Sequence, residues 1–134
     1  MKKQLLTIAI ASLLITGCYN IDRRAQQNFQ ISTTNDASQA KTKCSIKNEE
    51  GQWTAAANEL IRIHRDDNLM DIQCQNDTQF GSKQIEPYFK HKYIVNNLLA
   101  DLCTVSCVID AYNNAFYQYT PYVSVDMQAK EIAK

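Results

Sequence analysis

The chain has 134 residues with 14 basic and 14 acidic side chains, a formal net charge of zero, and a length that suits one domain. Two of the basic residues, Lys2 and Lys3, belong to an apolar N-terminal segment with no acid, so 14 minus 2 leaves 12 basic against 14 acidic residues in the remainder, a net charge near −2. Nucleic acid is therefore not an expected partner.

Lys2 and Lys3 form a positive start, Leu5 to Ile15 an apolar run, and Thr16-Gly17 the small residues before Cys18. This is the layout of a signal peptide. The run is shorter than the about 20 apolar residues a membrane span requires, and Tyr19-Asn20-Ile21-Asp22-Arg23-Arg24 turns polar at once. The stretch Ile15-Thr16-Gly17-Cys18 resembles the bacterial lipobox: an apolar residue, a small or β-branched one, Gly or Ala, then Cys. The resemblance implies removal of residues 1–17, acylation of Cys18, and stable anchoring through several acyl chains, each buried CH₂ contributing about 0.8 kcal/mol. Tyr19 stands where Asp commonly retains such lipoproteins in the inner membrane, which implies the outer membrane. The bland alternative is an ordinary cleaved signal peptide followed by a chance cysteine.

Residues 18–42 are polar and poor in large apolar groups, which predicts a flexible lipidated tether, because little apolar surface is on offer to offset the entropy of ordering. Phe29 and Ile31 within it fit either a short strand or exposed positions. The folded domain is expected over residues 43–128. Cys44 and Ile46 alternate with Lys43, Ser45 and Lys47, the period of a half-buried strand. Asn48-Glu49-Glu50-Gly51 then supplies turn chemistry, and Trp53 follows as a lid on the core. Residues 54–58 are ambiguous, an alanine run too short to stand as a helix.

A second strand is predicted over residues 60–65, with Ile61 and Ile63 inward and Arg62 and His64 outward, and a third over 69–75, with Met70, Ile72 and Cys74 on one face. Asp66-Asp67-Asn68 between them reads as the turn of a hairpin. Residues 76–92, with Gly81 and Pro87, read as a surface loop. Its end, Tyr88-Phe89-Lys90-His91-Lys92-Tyr93, has the chemistry to meet lipid headgroups or glycan, although such clusters are more often solvated loops packed by their own aromatics.

Ile94, Leu98, Leu102, Val105, Ile109, Tyr112 and Phe116 recur at helical spacing, which predicts one helix over 93–113 packed on the sheet. Asp101 interrupts any reading as a membrane span. Val123, Val125 and Met127 alternate with Tyr122, Ser124 and Asp126 in a last strand, and residues 129–134 read as a frayed tail.

With Cys18 assigned to lipid, Cys44, Cys74, Cys103 and Cys107 remain. An even number in an exported chain favours disulfides. Three pairings are possible, of which Cys44–Cys74 with Cys103–Cys107 is preferred: the first two lie on predicted strands and the second two are close neighbours. On an ideal helix an i, i+4 disulfide needs distorted geometry, so either the helix breaks at this pair or the two cysteines are not joined in this way.

The order Cys44, Asn48, Gly51, Trp53, Leu69, Cys74, then Asp110-Ala111, Ala115, Tyr117 and Tyr119 before Pro121, resembles small, largely uncharacterised lipoproteins of Gram-negative bacteria, over roughly residues 43–127. The resemblance implies an envelope location and a mostly β domain, and supplies no catalytic residues. Where those proteins are glycine-rich this chain has Asn96-Asn97, Leu102, Cys103, Val105, Cys107 and Asn113-Asn114, so the close backbone packing or membrane contact that glycines allow is not carried over.

No catalytic constellation stands out. His64 and His91 lack a second histidine at metal-ligand spacing, so no metal or cofactor is expected. Ser106 lacks the Gly-flanked turn that exposes a nucleophile, and Gly51 and Gly81 are the only glycines after the leader, too few for a phosphate-cradling loop. Cys103 and Cys107 are the best candidates for thiol chemistry, but their spacing is not Cys-x-x-Cys and export favours a structural bond.

The sequence thus predicts an α+β fold, a small antiparallel sheet with one packed helix behind a lipidated tether. The role it points to is non-enzymatic: an outer-membrane lipoprotein, periplasm-facing or surface-exposed, that binds or supports an envelope protein or glycan. A second reading is an exclusion or immunity lipoprotein that blocks phage or toxin entry. A third is a thiol-disulfide protein using Cys103 and Cys107.

Overall fold

The computed structural model describes residues 25–130. The signal peptide, the lipobox and residues 18–24 of the expected tether lie outside them. The chain is mainly β, in two sheets and a small ribbon, with two short helices. In order it runs β1 (Gln26–Thr34), a 3-10 turn (Gln39–Lys41), β2 (Lys43–Asn48), β3 (Gly51–Ala56), β4 (Leu60–His64), β5 (Met70–Gln75), β6 (Gln79–Ile85), β7 (Tyr88–Phe89), α1 (His91–Asp101), α2 (Ser106–Tyr112), β8 (Tyr117–Gln118), β9 (Tyr122–Asp126) and β10 (Gln128–Ala129).

One sheet has the order β4-β1-β9 and the other β10-β6-β5-β2-β3. Their buried faces meet in a single core that includes Phe29, Ile31, Ile46, Ile63, Met70, Ile72, Tyr119 and Val125. Alternation explains the arrangement. β5 reads buried-exposed at every second position through Met70, Ile72 and Cys74, and β9 does so through Val123 and Val125. Each strand thus offers one apolar face, and two such faces packed together remove both from water.

The expected tether is corrected from Gln26 onward. Phe29 and Ile31 are fully buried, and β1 is the central strand of its sheet, antiparallel to β4 and parallel to β9. The inward positions of β1 are Gln27, Phe29, Ile31 and Thr33. Two are polar, which lowers the mean hydropathy below what a composition argument recognises as core. Gln27 is accommodated because its Nε2 donates to the Tyr119 carbonyl at 3.1 Å while its Oε1 accepts from the Tyr119 N–H at 2.9 Å.

The expected hairpin of residues 60–65 and 69–75 is also corrected. β4 pairs with β1 and β5 pairs with β2 and β6, so Asp66-Asp67-Asn68 crosses from one sheet to the other. The crossing is held by Asp66, whose carboxylate accepts from the Glu49 N–H (2.9 Å) and the Asn68 N–H (3.2 Å). The predicted loop 76–92 instead contains β6 and β7. In β6 only Gly81 and Ile85 are buried, too sparse a pattern to read as a strand. Gly81 is required by proximity: an added Cβ would lie 2.9 Å from Val125 Cγ1 and would collide with the Asp126 carbonyl, because β6 and β9 meet there across the two sheets.

The single helix over 93–113 is two helices. Leu102 and Cys103 adopt positive φ of 54° and 62°, which ends α1 in the left-handed conformation that commonly closes helices. Residues 102–105 turn the chain, and α2 packs back against α1.

Candidate functional site

The two ends of the sandwich differ in chemistry. At one end the turns after β1 and β5 are tied by Asp36, whose carboxylate accepts from Thr33 Oγ1 (2.8 Å), Thr42 Oγ1 (2.6 Å), the Ser38 N–H (2.9 Å) and Asn76 Nδ2 (3.0 Å). Burial works against the ionised form, but these four donors outweigh it and hold the Asp36 carboxyl below its ordinary value of 3.8. The cluster is internally satisfied, and it fastens the turn between β1 and β2 to the one between β5 and β6.

At the other end the chain enters β1, and α1 and α2 project as a helical hairpin. Arg65 joins the two. Its N–H donates to the Ala25 carbonyl at 2.7 Å, and its Nη1 donates to the Ala115 carbonyl, just beyond α2, at 3.1 Å. The guanidinium carbon also lies 5.5 Å from the centre of the Tyr93 ring on α1, at cation–π distance. Arg65 Nε is buried and is the one such side-chain atom left without a partner among the described residues. Beside it, Gln26, Asn28, Arg62, Arg65 and Gln118 line an open cleft of about 360 Å³. Tyr119 closes the core at this end, its hydroxyl donating to the Asn68 carbonyl at 2.7 Å. Burial chiefly, with Asp66, Asp67 and Glu49 nearby, pushes its pKa up to about 12.

The hairpin is the unusual part. Its buried side chains include a polar pair: Asn97 of α1 donates through Nδ2 to Asp110 of α2 at 2.7 Å, and both are almost wholly enclosed. Its apolar side chains point out. Of the thirteen large hydrophobic residues exposed among those described, seven lie on it: Val95, Leu98, Leu99, Leu102, Val105, Val108 and Tyr112. Leu99 is 82% and Tyr112 87% exposed. Tyr88 and Phe89 on the ribbon at its foot are exposed as well. Of the stripe expected to face the core, Phe116 is buried and Ile94 and Ile109 are half-buried, whereas Leu98, Leu102, Val105 and Tyr112 face solvent. Between residues 93 and 116 the sequence has two charged residues, Asp101 and Asp110.

The sequence-predicted cysteines fall in two separate places. Cys44 and Cys74 are cross-strand partners on β2 and β5, with Cα atoms 4.0 Å apart, joined by a disulfide at the centre of the core. Cys103 and Cys107 are joined across the break between the helices, with Cα atoms 4.9 Å apart. That break removes the conflict between an i, i+4 bond and a regular helix. Cys18 lies outside the described residues. His64 packs beside Trp53, ring centres 6.2 Å apart, and His91 against Phe89 at 5.1 Å; the two histidines are not brought together. Ser106 opens α2. Among the described residues no group of three or more His, Cys, Asp or Glu side chains is placed to hold a metal ion.

The sequence reading missed Asp36, Arg65 and the Asn97–Asp110 pair. Asp36 has a local signal, an acid two residues before Ser38 in a turn-forming stretch. Arg65 and Asn97 have none, because their partners lie 50 and 13 residues away. Comparison with family models, curated proteins and solved structures finds no match to the chain.

Proposed function

We propose that the chain is an outer-membrane lipoprotein, acylated at Cys18, whose domain has a non-enzymatic role in binding or supporting a component of the cell envelope. The observation that carries this reading is the use of the cysteines. Of five in the chain, four are consumed pairwise in two disulfides, and the fifth is the last residue of Ile15-Thr16-Gly17-Cys18. Paired cysteines suit an oxidising compartment such as the periplasm, and a lone cysteine at a lipobox suits the thiol that takes the lipid. An unpaired exported thiol with no such use is a liability to mispairing.

The test is metabolic labelling in a Gram-negative host. The full chain incorporates labelled palmitate and fractionates with the outer membrane, and Cys18→Ser abolishes the label. Incorporation of label that survives Cys18→Ser, or none in the parent chain, overturns the reading. Turnover of an envelope substrate by the purified protein overturns its non-enzymatic half.

A further inference from the structure

The α1–α2 hairpin puts its apolar side chains where a soluble domain gains nothing from them. Surface hydrophobics scattered singly need no explanation, but a contiguous apolar patch marks a contact. Here the arrangement is inverted. Asn97 Nδ2 donates to the Asp110 carboxylate between the helices, and Leu98, Leu99, Leu102, Val105 and Val108 are left outside. Buried polar pairs with apolar exteriors are the pattern of elements surrounded by hydrocarbon, where an unsatisfied polar group facing outward is costly.

What covers the patch follows from where the chain enters the domain. Six residues, 19–24, separate Cys18 from Ala25, and seven Cα steps reach at most about 25 Å. Ala25 is held by the same Arg65 that contacts Tyr93 and Ala115 at the foot of the hairpin. The far end of the sandwich lies the length of β1 away, nine residues or roughly 30 Å at strand rise. A lipid on Cys18 therefore keeps the hairpin end within about 25 Å of the bilayer, a limit it does not place on the Asp36 end.

We infer that the α1–α2 hairpin dips into the interfacial layer of the bilayer to which the chain is anchored, with Leu98, Leu99, Leu102, Val105 and Val108 at acyl-chain depth. The inference rests on the lipid-anchor reading above. The helices have 11 and 7 residues, so α1 is about 16 Å long, well short of a span, and no described helix is long and apolar enough to cross a membrane. Lys92 in the first turn of α1 suits anionic headgroups, but Asp101 at the end of the same helix and Glu50, bonded to Asn114 just beyond α2, offset it. The contact is thus driven by apolar burial more than by charge. It fixes the orientation of the domain on the membrane and leaves the Asp36 end for other partners.

The experiment uses the full chain purified from host membranes and reconstituted in phosphatidylethanolamine–phosphatidylglycerol vesicles that contain a phospholipid with a photoactivatable diazirine on its acyl chain. After illumination, peptide mass spectrometry locates the lipid adducts. Adducts concentrated in residues 93–112 are the expected result. The doubly substituted Leu99→Asp, Val108→Asp chain should lose at least about tenfold of that labelling, since charge at hydrocarbon depth is strongly disfavoured. Both positions are largely exposed, so its melting temperature should match the parent's. Adducts absent from 93–112, or unchanged in the double variant, overturn the inference. The mass of the Cys18 peptide in the same digest reads the anchor separately. Acylated Cys18 without hairpin adducts sinks only the inference, and hairpin adducts on a chain with unmodified Cys18 sink only the anchor.

Discussion

The sandwich and the hairpin obey opposite rules within one chain. In the sandwich the apolar face of each strand meets another apolar face, and Phe29, Ile46, Ile63 and Ile72 are fully enclosed. In the hairpin the enclosed pair is Asn97 and Asp110, and the leucines and valines face out. Periodicity reports which face of an element is apolar. Which face is covered depends on what else the chain has to cover it with. Here both sheets have spent their apolar faces on each other, and among the described residues Leu98, Leu99, Leu102, Val105 and Val108 of the hairpin remain exposed.

The sharpest way to test this contrast is to truncate an apolar side chain in each region. Phe29→Ala empties part of the core, and should cost about 3–5 kcal/mol in denaturant unfolding, close to the whole stability of a small domain. Next in size is the covalent tie inside the core. Replacing Cys44 and Cys74 together by Ala opens a link between residues 30 apart, for which the chain-entropy model gives about 3–4 kcal/mol. The same exchange at Cys103 and Cys107, only 4 apart, should cost no more than about 2 kcal/mol. A larger loss at Cys103 and Cys107 than at Cys44 and Cys74 would show that the hairpin, not the sandwich, holds the fold.

Acid titration is a milder probe, aimed at the Asp36 end. Because folding lowers the pKa of Asp36 below 3.8, its contribution is fully present above that value and is lost as pH falls through the lower, folded one. The melting temperature should therefore drop below about pH 4 by more in the parent than in Asp36→Asn. Equal acid sensitivity of the two chains would exclude the carboxylate as the source. The smallest effect is expected at the hairpin surface. Leu99→Ser should change stability in solution by no more than about 0.5 kcal/mol, against the several lost at Phe29. A cost comparable to Phe29→Ala would mean that Leu99 is covered by another element of the chain.

Strands with strict alternation were legible from sequence: β2, β5 and β9 fall where Cys44/Ile46, Met70/Ile72/Cys74 and Val123/Val125 place them. β1 and β6 were not, for different reasons. Two of four inward positions in β1 are polar, Gln27 satisfied by the Tyr119 backbone 92 residues away and Thr33 by the Asp36 carboxylate. β6 has little inward apolar content because Gly81 must make room for β9. The hairpin's existence as helix was legible and its burial was not. The spacing of Leu98, Leu102 and Val105 describes a stripe, and the break at Leu102 and Cys103, with its positive φ, was signalled only as one of two outcomes of the Cys103–Cys107 spacing. Of the candidate site, the aromatic and basic run at 88–93 was visible. Its link to Ala25 through Arg65 was not, since that contact joins residues 40 apart in the chain, 65 minus 25.

The parallel pairing of β1 with β9 sets an order of assembly. The first of the described strands to emerge, whether from the ribosome or from a translocation pore, has its neighbours at residues 60–64 and 122–126. One edge of β1 therefore stays open until almost the whole chain is available, with Phe29 and Ile31 on a strand paired to β4 alone. Closing so long a loop late makes the last step slow and leaves an unpaired edge exposed while it waits. A chain interrupted before Tyr122 would keep its five-stranded sheet incomplete by β10 alone, yet would lose the strand that seals its own beginning.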